Sequence, residues 1–163
     1  MLSAVKVLAI LKDLKAQPLD QEAQAIIDQY AANKPDMNDV YKQAFIALYE
    51  HYEDGMQKAA VATFGLNAFQ AKKILYKKDR VRLFRKHNID FNAIEHAESI
   101  HTLGLIFNNL EYEGQVTEAL AAAIPEWEVG APLNELEKVY KELAPQCVIH
   151  YAAMLDALSA AVN

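Results

Sequence analysis

Glycine and proline together supply only ten of the 163 residues, too few turn formers to connect the strands of a sheet of any size. Alanine, leucine, lysine, glutamate and glutamine recur throughout, so local preference runs toward helix. The expected fold is therefore all-α: a single-domain, irregular helical bundle of about seven or eight helices, long enough in sequence to bury one core without metal or disulfide staples. The single cysteine, Cys147, excludes an internal disulfide framework. The N-terminal stretch MLSAVKVLAILKDLKAQ has polar residues spaced through it where a secretory signal would be unbroken and apolar. The longest apolar stretches carry Asp13, His101, His150 or Asp156 inside them, short of the run of about 18 residues that a membrane span needs. These features predict a cytoplasmic protein with no membrane partner.

Ser3 is placed to cap a first helix reaching about Ala16, and Pro18 breaks it before Asp20 opens a second through Ala32. Asn33 to Asp36 makes the next break. From Met37 the residues Tyr41, Phe45, Leu48, Tyr49, Tyr52, Met56, Ala59, Ala60 and Thr63 return at helical spacing, a stripe expected to face the core, with His51 on the solvated side.

Charge is the second organising feature. Eight of the sixteen basic residues, including all three arginines, fall between Lys72 and Lys86 with Asp79 as their one acidic neighbour, while residues 91–163 hold eleven acidic and two basic side chains. Just before the cluster, a helix expected to end at Phe64-Gly65 turns and restarts after Asn67, with Ala60, Phe64, Leu66, Ala71 and Ile74 available for close inner contacts. Over about twenty residues this outline resembles helix-turn-helix motifs. The second helix of such a motif would present Lys73, Lys77 and Arg80 on one face, and Lys72, Lys78, Arg82, Arg85 and Lys86 extend the cationic surface. Phe84 is expected either as a stacking anchor within that patch or as core beneath it.

Asp90, flanked by Ile89 and Ile94 as a hydrophobic staple, is expected to open a central helix from Phe91 to about Leu110. Glu98 and His101 on it have the Glu-x-x-His spacing that helical bundles use to hold metals, but no second copy of the motif exists, and Glu50 with Glu53 or Cys147 with His150 do not complete a ligand set. A hydrogen-bonded Glu98–His101 pair is the expected reading, with metal as the weaker one. Glu95 and His96 add titratable groups nearby, although His96 points to a different side of the helix from His101. Cys147, on the stripe of Tyr151, Met154, Leu155 and Leu158, is expected to be an inert buried thiol. Glycine-rich phosphate loops, nucleophile elbows and paired CxxC motifs are missing, so no cofactor is expected.

Beyond these, a short helix should end near Pro125, and further helices should open at Pro132 and Pro145. Trp127, between Glu126 and Glu128, is a candidate partner anchor. The alanine-rich last helix could pack within its own domain or form a homodimer with a second copy. The leading expectation is a non-enzymatic binding protein that meets nucleic acid through residues 56–87. The alternative is an interaction module, an adaptor, chaperone or toxin-neutralising partner, whose basic patch binds an acidic protein. A metal-dependent bundle enzyme centred on Glu98 and His101 comes third.

Overall fold

The capping chemistry read from the sequence sets the first helices. In the computed structural model, which describes residues 1–33 and 36–162, Ser3 Oγ accepts from the Lys6 amide and opens α1 (Ala4–Ala16). Asp20 opens α2 (Gln21–Ala31) without a side-chain cap bond, its charge set against the positive end of the helix. Asp36 Oδ1 accepts from the Asn38 amide at the start of α3 (Met37–Phe64). The break expected from Asn33 to Asp36 lies partly outside the described residues. Gly65, with φ +65°, ends α3 in the left-handed turn that favours glycine. Asn67 and Gln70 then form a reciprocal capping box over α4 (Ala68–Lys73). The remaining helices are α5 (Lys77–Lys86), α6 (Ala97–Asn108), α7 (Glu118–Ala123) and α8 (Leu136–Ala160). Among the described residues there are eight α-helices and no strand, so the chain is an all-α bundle.

The long helices α3 and α8, about 42 and 37 Å at 1.5 Å per residue, pack on one another, and α1 and α6 each pack against both. The α3 stripe is the spine of a single contiguous core: Tyr41, Phe45, Leu48, Tyr52, Met56, Ala59 and Ala60 are buried as their spacing predicts. The apolar stripe of α8, with Cys147, Tyr151, Met154, Leu155 and Leu158, is spent inside the same core. No helix among the described residues is long and apolar enough to cross a membrane.

Four expected elements differ. The helix predicted to run through Lys73, Lys77 and Arg80 is two helices, because α4 stops at Lys73 and the chain turns through Ile74–Tyr76 before α5. Arg80 makes the break possible by folding back: its Nε–H and Nη2–H donate to the Ile74 and Leu75 carbonyls at 3.2 and 2.9 Å, satisfying acceptors that the end of α4 leaves open. The continuous second helix of a helix-turn-helix is therefore not formed. The helix expected from Phe91 begins instead as one 3-10 turn, Phe91–Ala93, capped by Asp90, and α6 starts only after His96 has passed through the left-handed region at φ +57°. The Glu95 carbonyl is held from outside, by His150 Nδ1–H at 3.0 Å. Finally, Pro132 lies in a loop, and Pro145 sits inside α8 where a helix start was expected.

Candidate anion-binding site

Seven of the eight clustered cations, Lys72, Lys73, Lys77, Lys78, Arg82, Arg85 and Lys86, are exposed. Among the described residues a single carboxylate pairs with any of them, Asp79 with Arg82 at 3.7 Å. Neutralisation by the acidic helices 91–163 is not observed among those residues: the described ion pairs of that region are Lys15–Asp156, His96–Glu95 and Lys141–Glu137. Two outward aromatics that composition did not single out stand beside and within the cluster, Phe69 at 67 % exposure and Tyr76 at 68 %, with the Lys73 ammonium 5.1 Å from the Phe69 ring centre.

The eighth cation is a correction. Arg80 is 3 % exposed and does not share a solvent face with Lys73 and Lys77. Its guanidinium lies over the rings of Phe91 and Tyr52, 5.4 and 5.9 Å from their centres, in addition to its two carbonyl contacts. No carboxylate among the described residues comes within 4.0 Å of it. A buried cation without a counter-charge is uncommon, because desolvation of an ion is costly unless paired. Arg80 nevertheless has an outlet: it lines a cleft of about 730 Å³ between α3, the α4–α5 junction and α6.

The cleft is both aromatic and cationic. Tyr49 packs against Phe107 with the rings tilted by 35° and their centres 4.7 Å apart, an approach that Gly104 permits because a Cβ there would stand 3.3 Å from the Tyr49 hydroxyl. Tyr76, Lys72 and Lys77 line the cleft from the basic segment. Tyr112, 79 % exposed, joins it from a π-helical turn, Asn109–Glu113, which continues α6. Wide turns of this kind often re-aim side chains at functional sites. Glu53 borders the cleft from α3, and burial holds its carboxyl above the usual carboxylate range, against the pull of Arg80.

His101 belongs to this cleft and not to Glu98. Its Nε2 stands 3.2 Å from Asn92 Oδ1, and burial, with Lys77 and Arg80 adding to it, pushes the imidazole down to about 4, so it is neutral near pH 7. Glu98 is exposed on another side of α6, beside a smaller groove of about 320 Å³ that Thr102 and Trp127 also border. The expected mutual hydrogen bond is thus absent, because the spacing that places the two on adjacent turns does not turn both inward. Among the described residues no three His, Cys, Asp or Glu side chains gather as a metal site.

Burial decides between the two readings of Phe84 and corrects the expectations for Trp127 and His51. Phe84 is fully buried, edge-on to Phe64 and Phe91 at 5.2 and 5.0 Å, so it is core and not a stacking anchor. Trp127 is 7 % exposed, and its indole N–H donates to the Asn134 carbonyl at 3.0 Å, pinning the loop before α8 instead of presenting a hot spot to a partner. His51 is half-buried, edge-on to Tyr151 at 6.4 Å, where a solvated residue was expected. Cys147 is buried as expected, with its thiol pushed up to about 12 by burial and weakly bonded to the Ser99 carbonyl at 3.7 Å. His150, fully buried, bridges Tyr52 OH, 3.0 Å from Nε2, to the Glu95 carbonyl.

Sequence reasoning missed Tyr49, Phe107, Tyr76 and Tyr112 as site residues. Tyr49 and Phe107 were legible only as apolar periodicity. Tyr76 carried a usable signal, an aromatic directly before the Lys77-Lys78 pair. The chain matches no protein-family model, no curated protein and no solved structure.

Proposed function

We propose that this is a non-enzymatic binding protein that holds nucleic acid, single strands in preference to duplexes, on the cations of the 72–86 segment, and that it acts in the cytoplasm, where a lone thiol stays reduced. The observation that carries this reading is the exposure of seven clustered cations that meet only one carboxylate among the described residues. Unpaired positive charge of that density attracts a polyanion, and neutralising each phosphate releases counterions. The preference for single strands follows from local geometry. With α4 and α5 separated and Arg80 turned inward, no long cationic helix is available to lie along a major groove. Phe69 and Tyr76 instead supply exposed faces on which unpaired bases stack, at about 1–3 kcal/mol per base. The acidic remainder of the chain, eight basic against twenty-one acidic side chains, restricts contact to this one patch.

The test is fluorescence anisotropy of labelled single- and double-stranded DNA and RNA at low and physiological salt, with Lys73, Lys78 and Arg85 changed together to Glu as the control. Single strands are expected to bind more tightly than duplexes. Their log affinity should fall by about 0.7 per log unit of salt for each phosphate neutralised, and the triple variant should lose binding. No binding to any nucleic acid at low salt would overturn the proposal and assign the same cations to an acidic protein.

A further inference from the structure

We infer that the cleft between α3, the α4–α5 junction and α6 is a seat for a phosphomonoester attached to an aromatic base, either the phosphorylated end of a strand or a free mononucleotide. The inference rests on the nucleic-acid reading for its biological ligand, but its physical support is separate. Arg80 is buried, lacks a carboxylate partner within 4.0 Å among the described residues, and lines the cleft. Two of its five N–H groups are spent on the Ile74 and Leu75 carbonyls, and the Tyr49 and Tyr52 hydroxyls offer the others only neutral acceptors, so among the described residues no anion within 4.0 Å answers the charge. A group so oriented is satisfied by an anion with several oxygens, and the planar guanidinium fork matches phosphate.

The surroundings narrow the anion to a phosphate. Lys72 and Lys77 stand on the rim, and the N-terminus of α5 opens there through Tyr76, which places no side-chain cap on its amides. A carboxylate ligand would need one cation, whereas a dianionic phosphate suits this set of three. The remaining walls suit a base: Tyr76 and Tyr112 are exposed at the rim, and the Tyr49–Phe107 pair lies deeper. Glu53 and neutral His101 are placed to accept from, or exchange hydrogen bonds with, sugar hydroxyls and base amines. The volume of about 730 Å³ falls within the range of small-molecule sites. A strand bound on the outer cations would present a dianionic phosphate to the cleft only at a phosphorylated end, because an internal phosphodiester carries a single charge.

Isothermal titration with adenosine monophosphate, cytidine monophosphate, adenosine and inorganic phosphate addresses the seat directly. Anisotropy with one oligonucleotide carrying a 5′-phosphate, a 3′-phosphate or hydroxyls at both ends addresses the strand. The expected results are saturable binding of a monophosphate, no binding of adenosine, and either a terminal phosphate that tightens the oligonucleotide by about tenfold or more or, for a free-nucleotide site, no such gain. Arg80→Gln and, because Arg80 also holds the α4 carbonyls, the exposed variant Tyr76→Ala should each lower monophosphate affinity by about tenfold. Arg80→Gln and a second exposed cleft variant, Tyr112→Ala, should leave hydroxyl-ended oligonucleotides binding through Lys73, Lys78 and Arg85, whereas Tyr76→Ala, which also removes an outer stacking face, should weaken both kinds of ligand. If hydroxyl-ended strands bind while monophosphates do not and a terminal phosphate adds nothing, the seat is refuted and the nucleic-acid function stands. If monophosphates bind but no oligonucleotide does, the seat stands and the nucleic-acid function falls. Inorganic phosphate binding as tightly as the nucleotides, unchanged in Tyr76→Ala, would overturn the base half of the inference.

Discussion

A missing methyl at position 55 is what lets α3 and α8 meet. Gly55 is buried in the middle of α3, and a Cβ built there would fall on the Tyr151 hydroxyl. Gly55→Ala gains about 1 kcal/mol of helix propensity but must displace a packed tyrosine, so a net loss of about 1–3 kcal/mol is expected, read as a lower urea midpoint at unchanged m. The same tyrosine invites the opposite experiment. Its hydroxyl is buried without a hydrogen-bond partner among the described residues, and burial pushes its pKa up to about 12. Tyr151→Phe removes an unsatisfied polar group, and thermal unfolding should show it at least as stable as wild type, by up to about 1 kcal/mol. Neither feature was visible as a sequence motif. The burial of Arg80 was also hidden, although Phe84, for which a core position was one of two readings, stands four residues on and so shares its face of α5. Charge ordinarily marks the solvent side of a helix. Here that rule fails because Tyr52 and Phe91, remote in sequence, provide ring faces for the guanidinium.

At the level of whole helices, local signals read well where they were self-contained and poorly where a distant group intervened. Ser3, Gly65 and the Asn67–Gln70 box all stand where their short-range chemistry puts them. The helix expected at Phe91 was displaced because His150, on α8, takes the Glu95 carbonyl and favours the left-handed residue at His96. The helix start expected at Pro145 was absorbed because Leu143, Ala144 and Cys147 on either side are buried in the core, and that packing carries the helix through. Proline there leaves the Lys141 carbonyl without its usual donor, on the exposed side of α8 where water can reach it. Replacing it should restore that bond: Pro145→Ala is expected to raise stability by about 1–2 kcal/mol, the helix-propensity gain less the added freedom of the unfolded chain. Differential scanning calorimetry would read this as a higher Tm, by about 2–4 °C per kcal/mol.

Across the molecule, fold class was legible because composition and periodicity are global properties, whereas the cleft arises from three segments far apart in sequence and had no local signature. Those same segments bring two imidazoles inside, and this gives the whole bundle an acid limit. His150 is buried between Tyr52 and the Glu95 carbonyl, and burial lowers it to about 4, with Arg80 and His96 adding positive charge nearby. His101 is lowered to about 4 by partial burial and by Lys77 and Arg80. Both groups are neutral in the folded chain and titrate near 6.5 when unfolded, so below pH 6.5 the unfolded state binds more protons. Their contribution is complete above that pH and is lost as pH falls from about 6.5 toward about 4. For His150 the loss is on the order of a few kcal/mol, at 1.36 kcal/mol per pKa unit, while His101, more exposed, gives less because solvent screens it. Urea unfolding at pH steps between 7 and 4 should show stability falling with a slope of between one and two protons. His150→Asn, which removes one of the two titrating groups, should be less stable at pH 7 yet lose less on acidification. A wild-type stability independent of pH across that window would mean that these imidazoles are protonated, and therefore hydrated, in the folded protein.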